Sequence, residues 1–354
     1  MYSEEDINSA VAAGALSADA AAAFRAHMTQ VRDMPRGDEE NFRLVTSFND
    51  IFVTIGVVIM LMAAGAIGEA ILHSNNGPSP LAGALVAATA WGLAEFFTLR
   101  RRMALPSIIL LLAWVGGIFA TLLGIVIGLA DNGNDTLAAI LVSASALVAA
   151  GAAWVHWRRF MVPITVAAGA VAVGGSLIAL IGGTIASGTD IKPETVFIPL
   201  VFAVGIAIFA FAMRWDASDR ARTTRRSDVA FWLHLAAAPM IAHPLFHWLG
   251  VTDGGEIGVA AAAGVLTVYV ALGLVALAID RRALLVSALA YVLIALTWLF
   301  DRFGAVELNF ALTALVIGSA LLTLSAFWTP IRKLVVEQLP NGLQARLPEA
   351  ILVG

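Results

Sequence analysis

VAFWLHLAAAPMIAHPLFHWLG, Val229 to Gly250, is the stretch from which the rest of the chain is read. It is long and apolar enough to cross a bilayer, which takes about 20 residues of helix. It also carries His234, His243 and His247 together with Pro239 and Pro244. Each proline removes a backbone donor and crowds the carbonyl four residues earlier, so the spacing predicts a kinked or partly unwound helix. Hydrocarbon offers freed carbonyls no partner, and broken helices survive there only inside protein or beside water. The stretch therefore reads as the buried centre of a polytopic membrane protein.

Composition agrees. Of 354 residues, 60% are hydrophobic and only 13% charged, far from soluble usage. Abundant glycine and alanine suit closely packed membrane helices. With no cysteine, disulfides, thiolate metal sites and cysteine nucleophiles are excluded. A net charge of -4 argues against a nucleic-acid partner. The acidic start MYSEEDINSA lacks a basic segment followed by an apolar core, so the first membrane helix is expected to act as the insertion signal.

Ten apolar runs are expected to span the membrane, at 49–72, 80–99, 104–130, 136–157, 161–187, 196–213, 229–249, 257–279, 283–300 and 307–328. The basic residues test this number, because arginine and lysine concentrate in cytoplasmic loops. Placing these spans puts nineteen of the 21 basic residues on one side and leaves Lys192 and Arg302 on the other. An odd number of spans would scramble that alternation. The fold class expected is all-α: a polytopic membrane protein of ten transmembrane helices, arranged as five helical hairpins with both termini cytosolic. Abundant arginine and alanine suggest a bacterial inner membrane.

Arginine clusters at 100, 158, 214 and 281 recur after each pair of spans. Two junctions resemble each other in detail, WGLAEFFTLRRRMALPSIILLLAWVGG and WVHWRRFMVPITVAAGAVAVGG. Either the hairpins are duplicated and stack, or short cytosolic loops simply share this composition. Gly124, Gly128 and the glycines at 169, 174, 175, 182 and 183 would allow close helix approach.

Outside the membrane, residues 1–45 read as a cytosolic helical pair. Ser3 and Asp6 form a capping box, Gly14 stops the first helix, Ser17 caps the second through AAAAFRAHMTQVR, and Met34 to Asp38 breaks the chain before the membrane domain, 46–329. Residues 330–354 form a tail whose IRKLVVEQL segment is either an amphipathic interfacial helix or an ordinary terminal one. Glu5 to Arg32, with Ala13 to Ser17 at its turn, followed by NFRLVTSFNDIFVTIG (Asn41 to Gly56), resembles a bacterial family of uncharacterised membrane proteins with a short cytosolic helical pair ahead of many membrane helices. The resemblance implies that architecture and no activity.

Polar residues inside membranes are costly and usually face protein or a cavity. Glu95 lies about 7–8 Å inside the arginine-rich end at 1.5 Å per residue, and either snorkels to the interface or sits inside and titrates. His234 enters at the same depth and could meet it; the plainer reading is a neutral histidine bonded to a backbone carbonyl. His243 and His247, one turn apart, could hold a metal with Glu69 and His73, or with Asp253, Glu256 or Glu307. The blander alternative is a solvated vestibule lined by histidines. His156, between Trp154 and Trp157, reads as an interfacial anchor. Asn49 and Asp50 read as a helix cap. Arg214 to Asp228 reads as a solvated topogenic loop, with anionic lipid or the N-terminal pair as candidate contacts.

No phosphate-binding glycine loop, Ser-His-Asp set or HExxH motif is present, so no cofactor is expected and no catalytic residues are assigned. The candidate substrate- or proton-binding residues are Glu95, His234, His243 and His247. The expected function is transport of a small solute or lipid around the proline-broken seventh helix. The alternatives are a sensor or scaffold binding a cytosolic partner through residues 1–40, and an intramembrane enzyme acting on a lipid. Besides the bilayer, the sequence names no substrate and no oligomeric state.

Overall fold

The computed structural model describes residues 4–24, 48–129, 134–189, 191–220, 222, 224–252, 258–302, 309–344 and 347–348. Ser3, residues 25–47, Asp253, Glu256, Glu307 and residues 349–354 lie outside these, so the readings placed on them have no structural counterpart. The described residues are helical, with no strand among them.

Residues 1–41 and 350–354 form one unit. Within it, α1 (Glu4–Ala12) ends at Gly14, whose φ of 71° favours glycine. Ser17 then accepts from the Ala20 amide at 3.1 Å, opening a helical stretch over 18–24 as its capping role predicts.

The second unit, residues 42–349, holds the apolar helices. They are α2 (Phe48–Ile71), α3 (Pro80–Ala94, continued by a π-helical Glu95–Arg100), α4 (Ala104–Leu129), α5 (Asp135–Phe160) and α6 (Ile164–Gly188). Then come α7 (Pro193–Ala217), α8 (Arg225–Trp248), α9 (Val259–Ile279), α10 (Ala283–Arg302) and α11 (Asn309–Ala326). A 76° bend leads into α12 (Trp328–Glu337), followed by the short α13 (Asn341–Gln344). Among the described residues nine helices are long and apolar enough to cross a membrane, or ten if α11 and α12 count as one bent span.

Local chemistry sets the ends. Ser79 caps α3 by accepting from Ala82, with Pro80 in the first turn; Asn134 caps α5 by accepting from Leu137; Thr224 caps α8 by accepting from Arg226. At the arginine-bearing ends, each of four junctions turns on a non-glycine residue with positive φ. These are Arg102 (53°), Met161 (55°), Arg222 (54°) and Asp280 (57°). The recurrence noticed in the arginine spacing thus extends to backbone geometry.

The expected hairpins do not describe the tightest packing. The most extensive helix pairs are α3 with α4, α5 with α6, and α7 with α8, each joined across an arginine-bearing junction. Gly83 and Gly117 show why α3 and α4 close up. A Cβ on either would stand 2.8 Å from the other's carbonyl oxygen, so both positions need a bare backbone. Gly128 and Gly175, by contrast, face open space.

Helix α8 is the buried centre that its sequence predicts: 56% of its spanning window is buried, against 39% or less for every other span. Its predicted unwinding is not observed. Despite Pro239 and Pro244, α8 is one continuous helix. Packing supplies the reason. Pro244 leaves the Met240 carbonyl without its amide, and Gly205 of α7 lies directly against that residue. A Cβ there would stand 3.1 Å from the Met240 oxygen and 2.9 Å from its Cβ. The neighbouring helix clamps the weakened turn.

Candidate functional site

The segment read as a solvated loop keeps Arg214, Arg225 and Arg226 exposed, but it also contributes to a buried ion network. Asp216, in the last turn of α7, is fully buried, as is His234, whose Nε2 lies 2.9 Å from Asp216 Oδ2. Arg281, just past α9 and 2% exposed, donates to both carboxylate oxygens (2.7 and 3.4 Å) and to the Ser227 carbonyl. Its neighbour Asp280 accepts from Arg222 at 2.7 Å and from Trp328 Nε1 of α12 at 2.7 Å. Burial pulls the Arg222 guanidinium below the usual arginine value, and the nearby Arg281 adds to this. Arg332, 4% exposed, donates to the Pro348 carbonyl. Charges withdrawn from water need exact pairing, and here α7, α8, α9 and α12 each contribute to it. The histidine partner is thus a carboxylate rather than the backbone carbonyl of the plainer reading. The face of α12 that carries Trp328 and Arg332 is covered by the bundle.

Glu95 and His234 are not brought together, since each has its own partner. The π turn at Glu95–Arg100 presents the Glu95 carboxylate to Arg159, whose Nε and Nη2 reach its two oxygens at 3.0 and 2.8 Å. Both side chains are partly exposed, so Glu95 sits at the rim as an ion pair. His243 is exposed and bonds Tyr291 Oη at 2.7 Å, while His247 bonds Thr252 at 2.6 Å. Glu69 pairs with His73 at 2.8 Å. Among the described residues no group of three histidines or carboxylates could hold a metal.

His156 corrects the anchor reading. It is fully buried between Trp91 and Phe160, with Thr165 Oγ1 at 3.4 Å from Nδ1, and its Nε2 has no partner. The neighbouring Trp154 fits the anchor description, being 60% exposed under the Arg158 guanidinium.

Between the π turn, the α3–α4 and α6 junctions, and the start of α8 lies a hollow of about 430 Å³. Arg102, Arg159, Arg225 and Asp228 line its polar part; Ile108, Phe160, Ile164 and Trp232 line its apolar part. Arg159 is already neutralised by Glu95. Arg102 and Arg225 have no salt-bridge partner among the described residues. Thr98 also lines the hollow, 8% exposed, and its hydroxyl makes no hydrogen bond among the described residues. An orphaned buried hydroxyl, a π turn and two left-handed residues, Arg102 and Met161, converge here. Such irregularities cluster at functional sites.

Sequence reasoning took these arginines as topology markers and missed the hollow. The signal that could have found it is the resemblance between the RRRMALP and RRFMVP junctions, since both contribute to its wall. Neither Glu95 nor any of the three α8 histidines lines it. No protein-family model, curated protein or solved structure matches the chain.

Proposed function

We propose that the chain is a multi-pass protein of a bacterial inner membrane, with both termini cytosolic. In this reading the arginine-lined hollow is the cytosolic-side binding site of a transporter for a small anionic solute or lipid. The observation that carries it is a cavity with two guanidiniums that form no salt bridge among the described residues, set above an apolar floor beside the most buried helix of the bundle. The polar site expected around α8 thereby moves from its histidines to its first turns, at Arg225 and Asp228. An anion entering such a site would gain charge-assisted hydrogen bonds from two solvent-exposed guanidiniums beside an apolar wall.

Proteoliposomes provide the test, with radiolabelled phosphate uptake and leaflet exchange of fluorescent phosphatidylglycerol as the two probes. At least one should run faster than in protein-free liposomes and fall tenfold or more in Arg102→Ala/Arg225→Ala. Movement of neither probe above the protein-free rate would count against transport.

A second reading is a sensor or scaffold, favoured by the separation of residues 1–41 into their own unit. Deleting residues 1–40 would then abolish partner binding, whereas a transporter would retain flux.

A further inference from the structure

Beneath the arginine-lined hollow, Ile108, Leu111 and Ile164 pack together with Val115 and Ala168 and separate it from a second hollow. This second hollow, of about 390 Å³, lies between α4, α5 and α6 and has an almost wholly apolar lining. On α4 the two hollows are lined in succession by Ile108, then Leu112, Val115 and Phe119. On α6 the succession is Ile164, then Ala168, Val171 and Gly175. Both series advance by three or four residues, about one turn, at a time along a single helix face. Helices α4 and α6 both start from the arginine-bearing end, so the two strips run side by side. Each covers twelve residues (108 to 119, 164 to 175), eleven steps and so a depth of about 16 Å at 1.5 Å per residue. That is roughly half the 30 Å of a bilayer core, or one leaflet. Leu112 and Val171 are exposed, which leaves the seam open towards the surrounding lipid. Gly116 and Gly175 face it with no atom within 4 Å of where a Cβ would stand.

We propose that these two hollows together hold one anionic phospholipid of the arginine-side leaflet, its phosphate between Arg102 and Arg225 and one acyl chain passing the Ile108–Ile164 contact to lie along α4 and α6 beside Gly116 and Gly175. The proposal rests on the reading of the arginine-lined hollow as a ligand site and names its occupant. Charge chooses the headgroup. With Arg159 neutralised by Glu95, the Arg102 and Arg225 guanidiniums less the Asp228 carboxylate leave one net positive charge among the charged side chains that line the hollow. That matches a phosphodiester whose headgroup has no ammonium. The unpartnered Thr98 hydroxyl supplies a further donor to a phosphate oxygen. Depth chooses the lipid over a free phosphate, because a soluble anion would leave the apolar hollow unused.

The experiment is native mass spectrometry of the full chain released from detergent, with phosphatidylglycerol, phosphatidylcholine and the tail-less sn-glycerol 3-phosphate as probes. One phosphatidylglycerol should stay bound per chain, at least tenfold more tightly than phosphatidylcholine. Arg102→Ala/Arg225→Ala should lower that retention tenfold or more. Gly116→Leu/Gly175→Leu, whose Cβ atoms would meet nothing within 4 Å, should lower it similarly and leave glycerol phosphate binding unchanged. Thermal melts that match the wild type exclude misfolding as the cause. Phosphatidylglycerol retention that ignores both double variants would mean annular lipid only and would overturn the proposal. Glycerol phosphate binding as tightly as the lipid, with the leucine variant silent, would overturn it too while leaving the arginine site standing. Binding of none of the probes would remove both readings.

Discussion

Replacing Asp216 by alanine tests whether the ion network is dry and structural. The carboxylate is fully buried and is met by two groups, the Arg281 guanidinium (2% exposed) and the His234 ring. Asp216→Ala removes the counter-charge but leaves Arg281 enclosed. Stranding one member of a buried pair typically costs about 3–5 kcal/mol, because the remaining charge has lost water without compensation. By the per-residue entropy of unfolding over 354 residues, that corresponds to a fall in melting temperature of about 4–7 °C. The decisive comparison is Asp216→Ala/Arg281→Met, which deletes both charges and should recover much of the loss. Recovery should stop short of the wild type, since His234 still lacks its acceptor and an unsatisfied buried polar group costs about 1–3 kcal/mol. The assay is thermal unfolding of purified protein in one detergent, followed by tryptophan fluorescence. A single variant melting within about 2 °C of the wild type, or a double variant no better than the single, would refute the reasoning.

Four further outcomes follow from the same geometry. Gly205→Val should destabilise by about 1–3 kcal/mol, as overpacking does, because its side chain would meet Met240 at the proline-weakened turn of α8; an unchanged melt would deny the clamp. His156→Phe should melt at or above the wild-type temperature, since it removes an unpartnered ring nitrogen from an aromatic cluster, and a marked loss would point to a polar role for that ring. Glu95→Gln should leave the melt within replicate scatter, because its pair with Arg159 is solvent-screened at the rim; a large drop would show the pair to be enclosed. Because the chain has no cysteine, single cysteines at Arg101 and Asn76 report sidedness cleanly. Only the first should be shielded from an impermeant maleimide added outside intact cells, and the reverse pattern would invert the proposed topology.

Helix content, the number of apolar spans to within one, and the central place of α8 were legible in the sequence. Hydrophobic length, arginine recurrence and capping residues such as Ser17 are local properties, and local properties are written along the chain. Partners are not. His234 was visible as a polar residue at depth, yet its carboxylate lies eighteen positions upstream in a segment whose composition is that of a solvated loop. Proline chemistry predicted a break in α8, and only the approach of Gly205 explains why the helix holds. Arginines 102 and 225 look alike in sequence to the eight others clustered at these junctions. What sets them apart is a cavity formed by junctions more than a hundred residues apart, and no spacing rule reaches across that distance. Composition and periodicity determined that these helices form and bury one another; which charges meet, and where a hollow remains, was decided by how the helices pack.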